Sequence, residues 1–232
     1  MSDLPLSERA VQIVFEPPGP AARARIAHDQ PFVSPSLIYC YPLFVRRASG
    51  CMVEDVDGNI YLDAQAGVAT ASTGHSHPAV AGAIAAQAQE LIHICGTDFH
   101  YAGYGAVCER LNALAARLSK VPAVWQTFLT NSGTEAVEAA LKLARNHTRR
   151  SAIIAFRGGF HGRTFGSLSL TASKSKYRKH FGPFLPGVFH ADWGDADSVE
   201  KQLFAHLVAP DDVAAIVVEP VLGEGGYLLP PP

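Results

Sequence analysis

The sequence predicts an α/β protein with a mostly parallel sheet flanked by helices, preceded by a small N-terminal α+β segment. Three observations carry this. Short apolar runs alternate with helical patterns from about residue 124 onward, the signature of strands joined by crossover helices. A cluster of short alternating runs between Phe44 and Ala64 is broken by Ser49-Gly50 and Asp57-Gly58-Asn59. Glycine-rich stretches follow two of the apolar strands, where α/β proteins bind ligands.

The elements follow in order. Residues 1–30 read as a draped N-terminal segment, with Pro17, Pro18, Gly19 and Pro20 in one cluster and a short helix through AARARIAHD. FVRRASG, CMVEDV and NIYLDA read as three strands, and Asp-Gly between apolar alternations is a hairpin signal. HPAVAGAIAAQAQEL reads as a helix with Pro78 in its first turn. GYGAVCERLNALAARLS is a second helix, with Val107, Leu111, Leu114 and Leu118 on one face. VWQTFLT is expected to be a buried strand, SGTEAVEAALKLARNH a helix and SAIIAF the next strand. A short strand near VFHA, a helix over DADSVEKQLFAHL and a last buried strand, VAAIVVEP, complete the pattern.

Composition limits the function. Of 232 residues, 48% are hydrophobic and 17% charged, which excludes disorder of the whole chain. The mean hydropathy is +0.10. No apolar run approaches the roughly 18 residues of a membrane span. With 19 basic and 21 acidic side chains the net charge is −2, which gives no electrostatic reason to expect nucleic acid or an anionic membrane. MSDLPLSERAVQ shows no secretory pattern, and Cys40, Cys51, Cys95 and Cys108 form no CxxC pair, so a reduced, cytoplasmic protein is expected. His75 and His77 in GHSHP have no third ligand at a convincing spacing, so no metal site is expected.

Three stretches carry chemistry. In LTNSGTEAVEAALKLAR, Ser132 and Glu135 read as a capping box, while Gly133 and Thr134 open a helix whose first amides suit an anion. An ordinary capped helix with nothing bound is the alternative. In FRGGFHGRTFG, Gly158, Gly159, Gly162 and Gly166 let the chain pass close to a ligand. This loop carries Phe160 to stack on a flat ring, the imidazole of His161, and Arg163 to grip a carboxylate. The alternative is a flexible surface loop. In VVEPVLGEGG, Glu219 ends an apolar strand and Glu224 follows in a turn, where either could simply solvate the loop. Lys174 and Lys176, in TASKSKYRKH, read as a solvated loop rather than a desolvated nucleophile.

DVDGNIYLDAQAGVA, GHSHPAV, NSGTEAVEAALKLAR, GGFHGRTFGSLSLTAS and VVEPVLGEGG occur in this order, and from about Gly50 the chain resembles the class-III, pyridoxal-phosphate-dependent aminotransferases of fold type I. The likeness is nearest to the 4-aminobutyrate and related ω-amino acid aminotransferases, a group that includes some racemases. The resemblance implies pyridoxal 5'-phosphate as cofactor, held at its phosphate by Gly133 and Thr134 and at its ring by Phe160, with His161 and Glu219 close by. It implies Arg163 for the substrate carboxylate, Glu224 as partner of a gating arginine further on, and Val68 on the substrate side. It implies an amino acid and a 2-oxo acid as substrates and a homodimer with shared sites. The Schiff-base lysine and the aspartate that pairs with the pyridinium nitrogen lie, in the family, after this stretch. The chain is therefore expected to be an N-terminal portion without a catalytic residue of its own. Residues 1–75 are expected to hold the N-terminal segment and part of the small domain, and 76–232 an incomplete cofactor domain. A racemase or aminomutase on the same scaffold, or a non-catalytic fragment, is the alternative.

Overall fold

The structure, a computed structural model, describes residues 4–231. It divides between His100 and Tyr101 into two units.

In the first unit, β1 (Val45–Ser49), β2 (Met52–Asp55) and β3 (Ile60–Leu62) form an antiparallel sheet in that order. Both expected turns are present: Ser49 pairs with Met52 across Gly50, and Glu54 pairs with Ile60 across Asp57-Gly58. The second turn is built on Asp55. Its carboxylate accepts the amides of Asp57 and Asn59 at 2.9 and 2.8 Å, the Asn59 side-chain amide at 2.8 Å and the Tyr61 hydroxyl at 2.9 Å. Asp55 is only 1% exposed, so a full set of donors is what makes its burial tolerable. The same surroundings, burial first and then the Asp55 hydrogen bond, push the Tyr61 phenol up to about 12.

The N-terminal segment drapes over this sheet as expected. Gln12 bridges to Ile60, the amides of Val14 and Phe15 both donate to Asn59 Oδ1, and Leu6 packs with Met52 and Ile60 in a small core. Helix α1 (Pro20–Asp29) starts at Gly19, which has no side chain to cap it. The cap comes from the β2–β3 turn: Asp57 accepts the amides of Ala21 and Ala22 at 2.7 and 2.8 Å.

After β3 the chain makes one left-handed turn, with φ of 50° at Ala66, 61° at Gly67, 55° at Val68 and 62° at Ala69. Left-handed backbone costs an L-residue about 1–2 kcal/mol. The turn is held by Asp63, which accepts the amides of Gln65 and Ala66 with one oxygen and meets His75 Nε2 at 2.6 Å with the other. The His75 hydrogen bond, followed by the Gln65 amide, draws the Asp63 carboxyl below its usual range. Helix α2 (Pro78–Glu90) follows, with Pro78 at its first position.

The second unit holds α3 (Ala102–Leu118), α4 (Gly133–Thr148), β4 (Ala152–Phe156), α5 (Phe165–Leu170), β5 (Val188–Ala191), a wide helix of the i→i+5 type, α6 (Ser198–Phe204), and β6 (Val213–Ile216). The sheet is parallel, in the order β5-β4-β6. Central β4 is buried on both faces. Ile154 packs on one side with Ala191, Val199 and Leu203, and Ile153 on the other with Leu141 and Leu170.

Two strand expectations fail here. VWQTFLT is no strand: among the described residues its backbone finds no ladder partner, and it is held instead by side chains of α3. Thr127 Oγ1 donates to Asn112 Oδ1 at 2.7 Å, and the Leu129 amide meets the Tyr104 hydroxyl at 3.3 Å. VAAIVVEP is not buried. Val213–Ile216 pairs on one side with β4, and the Val217 amide still donates to the Ile154 carbonyl at 2.8 Å, leaving a half-buried edge with Ile216 and Val218 exposed. The expected apolar face of α3 forms but is open, since Val107, Leu111, Leu114 and Leu118 are all exposed. No helix of the described residues is long and apolar enough to cross a membrane.

Candidate active site

The second unit brings most of the expected residues together at the carboxyl end of β4. The loop after this strand turns on Gly158 and Gly162, whose φ values of 87° and 131° suit glycine. Two main-chain hydrogen bonds close its base, from the Gly158 amide to the Ala172 carbonyl and from the Ala172 amide to the Gly159 carbonyl. It therefore has a fixed shape and is not the loose surface loop that the sequence left open. Side chains would not fit at its tightest points. A Cβ at Gly162 would collide with the Thr134 and Ser167 hydroxyls, and one at Gly159 would come within 2.9 Å of His161 Nε2.

Glu219 ties this loop to the last one. One carboxylate oxygen accepts the Phe160 amide at 2.6 Å and the other accepts the Gly223 amide at 2.8 Å. Its carbonyl accepts the Trp193 indole N–H at 2.9 Å. His161 lies half-buried beside it. Burial pushes the imidazole below its ordinary range, while the Glu219 charge opposes the shift, so the ring is neutral at neutral pH. The His161 amide donates to Thr171 Oγ1 at 2.9 Å.

Helix α4 is bound to the same loop by hydroxyls that sequence reasoning missed. Thr134 Oγ1 lies 2.6 Å from Ser167 Oγ and 2.8 Å from Thr164 Oγ1, and Glu138 accepts the Thr164 hydroxyl at 2.5 Å and the Ser167 amide at 3.0 Å. The threonine-serine pattern of RTFGS gave no such signal, because the pairing spans about 30 residues. The capping box is half present. Ser132 Oγ accepts the Glu135 amide at 3.3 Å, but Glu135 reaches one residue further back, to the Asn131 amide at 2.8 Å. Gly133 and Thr134 amides remain without a partner among the described residues, and nothing lies within 4 Å of a Cβ placed on Gly133. The helix thus starts with two amides that have no partner among the described residues, at the end where its dipole favours negative charge.

On the outer side of the loop, Phe160 meets Tyr177 edge to face, with centroids 5.4 Å apart. Arg163 Cζ stands 5.7 Å from the Phe160 ring centre and 5.5 Å from that of Tyr177. Tyr177 was not expected in the site: in KSKYRKH it looked like part of a solvated basic stretch. Lys174 is also drawn in, pairing with Glu224 at 3.2 Å while the Tyr177 hydroxyl meets the same carboxylate oxygen at 3.3 Å. That hydrogen bond holds Lys174 above its usual range and draws Glu224 below its own. Lys176 projects over Tyr177, 5.4 Å from its centre. Val68 belongs to the first unit, exposed on the left-handed turn.

These donors suit one end of a flat, phosphate-bearing cofactor: open amides for a dianion, an aromatic face, and a neutral imidazole nearby. They supply no desolvated lysine for covalent attachment, since Lys174 is paired and charged.

A parallel sheet with such a loop and helix start at its carboxyl edge is the large-domain plan of fold type I aminotransferases. An ornithine aminotransferase of Toxoplasma gondii, whose structure shows partial occupancy of pyridoxal phosphate at the active site, matches at a TM-score of 0.78 and 30% identity over 91% of this chain and 48% of that one. The chain belongs to the aminotransferase class-III family, which it matches over residues 38–232, and that family is pyridoxal-phosphate-dependent. It is 37% identical over 240 residues to a 4-aminobutyrate aminotransferase of Mycobacterium tuberculosis, covering 96% of this chain and 53% of the relative. It is 44% identical over 193 residues to an acetylornithine aminotransferase of Methanopyrus kandleri, covering 82% and 46%. The chain spans about half the length of the curated relatives it matches.

Proposed function

We propose that this chain is the cofactor-cradling portion of an enzyme that moves an amino group from an ω-amino acid, 4-aminobutyrate or a close relative, to a 2-oxo acid. The observation that carries this reading is the loop after β4. It presents a ring and a guanidinium without a carboxylate partner on a scaffold tied by hydroxyls to a helix start with two open amides. Similarity to a 4-aminobutyrate aminotransferase over nearly the whole chain supports the substrate class.

In this reading Gly133 and Thr134 hold the cofactor phosphate through their amides, while the Thr134 hydroxyl braces the loop. Phe160 covers the cofactor ring. Glu219 and His161 set the loop's height above it. Arg163 takes the substrate carboxylate in two parallel hydrogen bonds and so fixes where the distal amine stands. Val68 lines the substrate side. Pyridoxal phosphate, when bound, supplies the electron sink that makes the amine carbon acidic. In this reading the lysine that bonds the cofactor and the aspartate that keeps its ring protonated are not among the residues assigned here, and the 232 residues alone are not expected to turn over. The assignment of residues 1–75 to the N-terminal and small-domain part and 76–232 to the cofactor domain, a cytoplasmic homodimer, and shared active sites belong to the same proposal.

The test is an assay of the full-length gene product with 4-aminobutyrate, ornithine, N-acetylornithine and single enantiomers of alanine and serine, each with 2-oxoglutarate. Preference for 4-aminobutyrate is expected. Preference for N-acetylornithine would replace the substrate, and interconversion of enantiomers without a 2-oxo acid would replace the reaction by racemisation.

A further inference from the structure

The ribbon from Asp63 to His75 is closed at its base and strained at its tip. Both ends sit on the turn between β1 and β2. The Asp63 amide donates to the Cys51 carbonyl at 2.8 Å, and His75 exchanges two main-chain hydrogen bonds with Gly50, at 2.8 and 3.0 Å. The two side chains, 16% and 25% exposed, meet at 2.6 Å and join the ends to each other. Between them lie four consecutive left-handed residues, and Ala66, Val68 and Ala69 each bear the cost of that backbone. No side chain of this turn is buried, and Val68 is 78% exposed. Packing within the unit therefore does not offset the strain. Strain kept at an exposed tip marks a backbone shaped for contact.

We propose that Asp63 and His75 are positioning residues: their hydrogen bond locks the left-handed turn, and with it the apolar wall that Val68 offers to the methylenes of the amine substrate. This rests on the reading of Val68 given above and extends it to chain-length selectivity. One Asp63 oxygen accepts the Gln65 and Ala66 amides that begin the turn, and the other is held by His75. The imidazole Nε2–H is the donor, since a carboxylate drawn below its usual range only accepts. Without His75 the carboxylate is free to rotate, and the amides that begin the turn lose a fixed acceptor.

The full-length holoenzyme gives two readings. One is hydrogen exchange at the Ala66 and Ala71 amides, which are bonded within the ribbon. The other is the ratio of kcat/KM for 4-aminobutyrate to that for 5-aminovalerate, which is one methylene longer. His75→Ala should speed exchange about tenfold, the size of losing one hydrogen bond to a charged group. It should also move the ratio about fivefold toward unity, within what one methylene is worth in an apolar site. His75→Gln, whose amide reaches the place of Nε2, should stay near the parent in both. Ala69→Gly added to His75→Ala relieves one left-handed residue and should slow exchange again about threefold. If His75→Ala does not accumulate as holoenzyme, His75→Asn, whose amide stops short of Asp63, takes its place. A residue that merely supported the fold would lower kcat/KM for both amines alike and leave their ratio unmoved.

Unchanged exchange in His75→Ala, exchange in His75→Gln as fast as in His75→Ala, or no slowing by Ala69→Gly would each overturn the proposal. Val68→Ala tests the underlying reading separately, and should move the ratio about fivefold without speeding exchange. A ratio moved by Val68→Ala but not by His75→Ala would overturn the positioning role alone. A ratio unmoved by Val68→Ala would take Val68 off the substrate side, while exchange in the His75 series still decides whether the pair locks the turn.

Discussion

The turn at residues 55–61 and the loop at residues 157–164 are each organised by one carboxylate, and they differ in what is left over. Asp55 takes four donors, is sealed from solvent and leaves no donor of its turn facing outward. Glu219 takes two amides, and around it stand an unpaired guanidinium, a screened lysine-glutamate pair and two open helix amides. A carboxylate that only builds structure is saturated and buried. In the proposed site, the polar groups left unsatisfied near Glu219 are the ones a ligand would complete.

Substitutions test that contrast, the largest effect first. Asp55→Asn puts an amide where four donors converge, so at least two lose their acceptor, at about 3 kcal/mol. Hydrogen exchange at the Asp55 amide, which donates to the Asn59 carbonyl across the turn, should accelerate about a hundredfold by the same energy. Tyr61 should fall from about 12 toward 10 in a phenol titration, since part of its shift comes from Asp55. The sign follows. A phenol raised on folding stabilises the β unit below pH 10, and that contribution is lost as pH rises from there to about 12. Unchanged exchange would show that the turn does not depend on its carboxylate.

Arg163→Lys in the full-length enzyme should leave pyridoxal phosphate bound. It should lower kcat/KM for 4-aminobutyrate about tenfold or more, the size of one charge-assisted hydrogen bond at about 1.5–3 kcal/mol. Loss of cofactor instead would give Arg163 a different role.

Glu219→Gln keeps one acceptor of two. Exchange should rise about tenfold at either the Phe160 or the Gly223 amide, at about 1.5 kcal/mol, and stay unchanged at Ile154. Equal acceleration at all three would mean that the carboxylate supports the whole sheet. The smallest effect is expected at Lys174. Held protonated by Glu224, it should escape borohydride reduction in the presence of pyridoxal phosphate, as should Lys176. Stoichiometric modification of either by mass spectrometry would refute this.

The sequence was most informative where a few adjacent residues decide the geometry. Ser49-Gly50 and Asp57-Gly58 marked both turns, Pro78 and Ser132 marked helix starts, and the glycines of GGFHG marked the tight loop. It misled where the outcome depends on a distant partner. VWQTFLT has the pattern of a buried strand, but a pattern cannot say whether a neighbouring strand is there to pair with it. VAAIVVEP is an apolar run as well and becomes a half-covered edge. Phe160, Arg163 and Glu224 could be picked out by type and place. Tyr177, Thr164, Ser167 and Glu138 could not, because their value lies in contacts made across 26 to 47 residues of chain.

Asp57 also changes how α1 should be understood. The carboxylate that caps this helix arrives from 35 and 36 positions downstream, and Gly19 is the residue whose bareness lets it in. A nascent chain that has emerged only as far as Asp29 therefore carries the helix sequence without its first cap. The first cap of α1 is supplied only once the β2–β3 turn closes, so the start of the helix reports on the turn.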